Sequence, residues 1–213
     1  MKAFLRFIVL AALGFVLGAA FAVFQGRGHF HAATVVSQTK STPAPVAQTT
    51  MPGVQVGGAF SLVDHTGKPV TEKSWPGKYK LVFFGFTHCP DTCPTTLQKL
   101  ASVMEHYDAK GDKIVPLFVT VDPARDTAAA LAKYVAGFSP VIVGLTGTES
   151  QIKDVEMAYK VYVAKQPGKT DDDYLEDHSA YIYLMSADDK LLQTFSVDET
   201  AEAIIGKIKE SVK

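Results

Sequence analysis

The two cysteines of the chain, Cys89 and Cys93, lie in the stretch "GFTHCPDTCPTT", separated by three residues and followed at once by Pro94. A disulfide across so short a loop removes little entropy from the unfolded chain, because the effect grows with loop length, so a purely structural bridge accounts for them poorly. Both sulfurs stand where an apolar run feeds a helix start, whose free N–H groups and positive end favour a thiolate over a thiol. Thiolates serve disulfide exchange and soft-metal binding alike. The spacing leaves both open, since Pro90, Asp91 and Thr92 place the second sulfur differently from a Cys-x-x-Cys exchange pair.

A metal requires further ligands, and the histidines are His29, His31, His65, His88, His106 and His178. His29 and His31 read as linker residues, His65 and His106 as surface residues, and His88 as pointing away from Cys89 if strand alternation persists. His178 follows a long polar excursion, "QPGKTDDDYLED", and stands beside Asp177 at the threshold of "SAYIYLM".

What would position these side chains is a run of alternating elements. "KYKLVFFGF" reads as a strand buried on both faces, leading into the helix "PTTLQKLASVMEHYDAKG" with Cys93 at its N-cap and Pro94 at its first position. "KIVPLFVTVD" is a second strand with Pro116 at a bulge or edge, "DTAAALAKYVAGF" a helix, and "VIVGLTG" a third strand. "TESQIKDVEMAYKVYVAK" opens with a capping box of Thr148 and Gln151 and aligns Ile152, Val155, Tyr159 and Tyr162 on one face. "HSAYIYLM" and "LLQTFSV" form a hairpin through "SADDK", and a last helix opened by Asp198 turns Ile204, Ile205 and Ile208 inward. The order predicts an α/β domain, a central mixed sheet flanked by helices in a thioredoxin-like fold. In such a fold the loop before "SAYIYLM" packs beside the cysteine loop, which makes His178 a candidate third ligand for the two thiols, with an ordinary surface histidine as the equal alternative. Two thiolates and an imidazole suit Cu(I) and tolerate Cu(II), whereas structural zinc calls for a fourth ligand.

Twenty-one Lys and Arg against twenty-two Asp and Glu give a charge of −1, so no basic excess points to nucleic acid. The apolar run from Phe7 to Phe24, preceded by Lys2 and Arg6, reaches spanning length and exceeds an ordinary signal-peptide core. Residues 1–25 are therefore expected to be an uncleaved transmembrane anchor with the rest of the chain exported, although Arg27 weakens the charge asymmetry and Ala20 and Ala22 leave cleavage as the alternative. Residues 26–53, rich in Thr, Ser, Ala, Gln and Pro, read as a flexible linker, and residues 54–213 as the folded domain.

Taken together, "FFGFTHCPDTCPTTL", "VTVDPARDT" and "DHSAYIYLM" resemble the Sco/SenC family of membrane-anchored copper chaperones. The resemblance implies copper held by Cys89, Cys93 and His178, delivery to the dinuclear copper site of cytochrome c oxidase subunit II, and a domain facing the periplasm from a single-pass anchor in a bacterial inner membrane. Other periplasmic copper carriers are implied as further partners. It also implies a redox-active pair, Cys89 with Cys93, whose dithiol form reduces the disulfide of the acceptor's cysteines and is itself oxidised to a disulfide. Asp122, Pro123, Arg125 and Asp126 match the family's Asp-Pro-x-Arg-Asp stretch, as supporting structure; for Arg125 and Asp126 a helix-start ion pair and N-cap serve equally well. The turn "SADDK" departs from the family's Pro-Asp-Gly. Two rivals stand beside this reading: a periplasmic thiol-disulfide oxidoreductase in which His178 has no coordinating part, and a peroxidase, for which the positions before Cys93 do not match.

Overall fold

The computed structural model describes residues 55–168 and 174–212. The expected anchor and linker lie outside those residues. Among the described residues no helix is long and apolar enough to cross a membrane.

Nine strands and four α-helices follow one another in the described chain. The centre is β3 (Tyr79–Gly85), whose Leu81, Phe83 and Phe84 are fully buried, as a strand covered on both faces requires. It runs parallel to β4 (Ile114–Thr120) along its whole length and antiparallel to β8 (Tyr181–Met185). With β1 (Ser61–Asp64), β2 (Pro69–Thr71), β5 (Val143–Thr146) and β9 (Leu191–Ser196) they make a mixed seven-stranded sheet of order β2-β1-β5-β4-β3-β8-β9. Helices flank it: α1 (Thr92–Tyr107) packs on α4 (Ala201–Ser211), α2 (Ala128–Ala136) on β5, and α3 (Glu149–Tyr159) touches β1. A separate antiparallel pair, β6 (Val163–Gln166) with β7 (Leu175–His178), forms a small sheet of its own.

Several sequence expectations change in detail. Helix α1 begins two residues earlier than Pro94 suggests, with Asp91 as N-cap, because the Thr95 amide already donates to the Asp91 carbonyl at 3.2 Å. Cys93 is thus inside the first turn. Pro116 sits in an unbroken register with Leu81, at a point where β4 has not yet met β5, whose pairing starts at Leu117; the missing N–H falls where only one neighbour is present. Helix α3 carries the expected capping box but stops at Tyr159, because Lys160 takes a left-handed conformation (φ 58°) that breaks the helical phase and leaves Tyr162 exposed. Thr200, not Asp198, caps α4, accepting from the Ala203 amide. His65 is no bystander, since its Nδ1 accepts from the Gly144 amide at 3.0 Å and ties the β1–β2 turn to β5.

Candidate metal centre

The site forms where β3 ends. A Cβ on Gly85 would fall 2.6 Å from Cys93 Sγ and 2.8 Å from Phe118 Cε2, so only glycine lets the first turn of α1 rest its sulfur on the strand end. The chain then turns, Cys89 N–H donating to the Phe86 carbonyl at 3.3 Å, and leaves Cys89 half-buried while Cys93 is fully buried. The Cys93 amide, one of the donors a helix start leaves open, finds the Cys89 sulfur at 3.4 Å. Neither cysteine is bonded to the other in this dithiol form.

The two thiols titrate apart. The Cys93 thiol donates to Cys89, and with the amides of Cys93 and Asp91 and the charge of His178 it brings Cys89 down to about 5, against the opposing effect of burial. The same hydrogen bond, together with burial, pushes Cys93 well above the ordinary thiol range. At neutral pH the pair therefore carries one thiolate, on the accessible sulfur, and one retained proton, on the buried one.

His178 arrives from the far end of the domain, at the last position of β7. Its Nε2 lies 3.8 Å from Cys93 Sγ across a sequence separation of 85 residues. Nδ1 faces the Ser179 carbonyl at 3.2 Å, and since a carbonyl only accepts, that nitrogen donates and Nε2 is the ring atom turned toward the sulfur. Phe86 and Phe83 hold the ring edge-on at 6.1 and 6.3 Å between centroids. A cleft of about 230 Å³ lined by Phe86, Cys89, Pro90, Leu175 and His178 opens onto the group.

The remaining candidates bracket the site without entering it. Asp126, fully buried, accepts from Thr87 N–H at 3.0 Å and from the hydroxyls of Thr87 and Thr120 at 2.6 Å each, so it fixes the entry to the cysteine loop. The N-cap of α2 is Thr127. Arg125 Nε donates to Asp122, its NH1 to the Tyr174 carbonyl at 3.1 Å, and its guanidinium lies 3.5 Å from the centroid of the Tyr174 ring. His88, past the strand end where alternation no longer applies, stands 3.9 Å from Asp126 on the solvent side. His88, Asp122 and Asp126 bring three ligand-type atoms within 4.8 Å of one another, but both carboxylates are taken up by Thr, Arg and Tyr donors. The parts of Gly85, Phe86, Thr87 and Tyr174 depend on contacts with distant segments that no local sequence pattern marks.

A family model described as SCO1/SenC matches residues 48–213. The chain belongs to the SCO1/SenC family. Among its relatives in this family, protein sco1 of Schizosaccharomyces pombe is 44% identical over 151 residues, covering 70% of this chain and 57% of that one, so the chain spans little more than half of that relative's length. The structure of Arabidopsis thaliana ScoI with copper bound is 40% identical with a TM-score of 0.69, over 73% of this chain and 97% of that one. BsSco, described as a member of the Sco family of cytochrome c oxidase assembly proteins and as containing a disulfide switch, is 25% identical with a TM-score of 0.60, over 74% of this chain and 94% of that one. The mixed sheet flanked by helices is the fold of these SCO1/SenC relatives.

Proposed function

We propose that this protein is a copper carrier of the Sco type that binds Cu(I) or Cu(II) through Cys89, Cys93 and His178 and passes it to the dinuclear copper site of cytochrome c oxidase subunit II. The observation that carries the reading is the approach of His178 Nε2 to 3.8 Å from Cys93 Sγ, beside the sulfur of Cys89, whose thiol is brought down to about 5. Two soft sulfurs and one imidazole fit Cu(I). Support also comes from the copper held by the Arabidopsis relative and from the oxidase-assembly description of BsSco. Residues 1–25 serve as a single-pass anchor in a bacterial inner membrane and 26–53 as a tether, placing the domain of residues 54–213 in the periplasm, where tethering raises its effective concentration near a membrane-bound acceptor. Periplasmic copper carriers supply the metal. The protein hands over cargo and is no enzyme in the turnover sense.

A second reading draws on the acidity and partial accessibility of Cys89: thiol-disulfide exchange. The Cys89 thiolate attacks a disulfide of the acceptor, giving a mixed disulfide and one acceptor thiolate. Cys93 then displaces the second acceptor sulfur, which takes the Cys93 proton, so two electrons leave the pair as the Cys89–Cys93 disulfide forms. This reaction would ready acceptor cysteines for metal.

Anaerobic Cu(I) titration of the full chain in mild detergent tests the first reading. The parent binds one equivalent, and Cys89→Ser, Cys93→Ser and His178→Ala each weaken it by more than the roughly tenfold to hundredfold lost when a ligand's own hydrogen-bond partner is removed. Negligible copper binding, with reductase turnover unaffected by His178→Ala, would leave the exchange reading alone standing.

A further inference from the structure

The small β6–β7 sheet delivers His178, yet its backbone ladder is with itself and not with the main sheet. The Ser179 amide and the Tyr162 amide extend that internal pairing, to the Tyr162 carbonyl and the Ser179 hydroxyl, and add no anchor to the domain body. Beyond the packing of Val163 on the core and the Phe83 and Phe86 rings that meet the imidazole, a further contact is needed to fix the histidine end. Among the described residues from 162 to 181, only Tyr174 is buried.

Tyr174 is gripped on every side. Its hydroxyl donates to Asp122 at 2.7 Å, and its carbonyl accepts from Arg125 NH1 at 3.1 Å. The Arg125 guanidinium and the Lys165 ammonium each lie 3.5 Å from the ring centroid, and two cations at that distance take opposite faces. Asp122 and Arg125 belong to the same short loop as Asp126, which holds Thr87 at the mouth of the cysteine loop. One loop, residues 122–126, thus grips the sulfur-bearing segment at one end and the imidazole-bearing segment at the other.

From this we infer that Tyr174 is a positioning residue, the anchor through which the 122–126 loop sets the distance of His178 from Cys89 and Cys93. The lever is short: four residues of extended chain, roughly 13 Å, separate anchor from imidazole. A metal–ligand bond tolerates only tenths of an ångström. Where copper is concerned the inference rests on the reading proposed above; the placement of the histidine does not.

The test uses the full chain in detergent, with Tyr174→Leu and the conservative Tyr174→Phe, which keeps both cation contacts and loses only the hydroxyl. Hydrogen exchange and the ring nitrogen shifts of His178 are read in the metal-free protein, and Cu(I) affinity by competition with a chromogenic chelator. Tyr174→Leu is expected to speed exchange across β6 and β7 but not across β3, to move the His178 ring signals, and to weaken Cu(I) by about tenfold to hundredfold, with Tyr174→Phe in between. In a His178→Ala background the same Leu substitution changes Cu(I) affinity no further, which a general loss of packing would not produce. Unchanged exchange and ring signals in Tyr174→Leu overturn the inference, as does an undiminished copper penalty without His178. If the parent itself takes up no copper, the carrier reading falls while the metal-free measurements still decide the role of Tyr174.

Discussion

At the scale of single residues, the chemistry turns on one hydrogen bond. The Cys93 thiol is buried and donates to Cys89, so the first proton leaves the more accessible sulfur easily and the second is retained. Because Cys89 lies at about 5, its thiolate fraction is nearly complete at neutral pH and falls only in acid. In the reduced, metal-free protein, alkylation by iodoacetamide should therefore modify Cys89 first, at a rate nearly flat between about pH 6 and pH 8 and dropping below. Cys93→Ala removes the largest of the causes that lower it, and the profile should move upward toward an ordinary thiol. A profile unchanged in that variant, read by mass spectrometry of the labelled peptide, would show that the helix start and His178 set the acidity instead. Gly85 belongs to the same argument. An alanine there places a methyl against Cys93 Sγ and the Phe118 ring, and since neither the strand end nor a buried aromatic gives way freely, we expect a loss of about 1–3 kcal/mol in urea unfolding. An unaffected midpoint would mean that the helix start shifts at no cost.

At the scale of elements, what the sequence reveals follows from how each element is stabilised. β3, β4 and the helices bury a contiguous apolar face, so "KYKLVFFGF" and the 3.6-residue pattern of α1 declare themselves. β6 and β7 do not. "VAKQ" and "LEDH" are polar, pair mainly with each other, and depend on a contact 52 residues away between Tyr174 and Asp122 that no local pattern encodes. The β1–β2 hairpin is hidden likewise, its strands being four and three residues long. Hence Cys89 and Cys93 were legible from spacing and His178 from its place before a strand, while the hairpin that delivers it and the tyrosine that holds the hairpin were not. Capping illustrates the converse, a local signal that survives: Thr148 and Gln151 close their box as the sequence suggests. Thr148→Ala should cost about 1 kcal/mol in chemical denaturation, and a neutral result would mean that packing of Ile152 and Val155 alone holds α3.

At the scale of the whole molecule, the centre joins two parts of the chain that are remote in sequence: the segment from the end of β3 into the first turn of α1, which carries Cys89 and Cys93, and the end of β7, which carries His178. A metal bonded to all three acts as a crosslink across 85 residues that exists only in the folded state. Binding of that kind stabilises by mass action, about 2.7 kcal/mol when free ligand stands at a hundred times Kd, less whatever the thiols of the unfolded chain take up for themselves. For a domain of this size each kcal/mol is worth about 2–4 °C, so Cu(I) loading under anaerobic conditions should raise Tm by roughly 5–10 °C. The size of the shift in variants then distinguishes a closed three-ligand centre from a simple dithiol. His178→Ala keeps both sulfurs, which have only three residues between them and crosslink almost nothing, so its shift should shrink well below that of the parent, and Cys89→Ser with Cys93→Ser should show none. Were His178→Ala to gain as many degrees as the parent at equal free copper, the imidazole would be outside the coordination sphere, and the long-range closure that defines this reading of the domain would be lost with it.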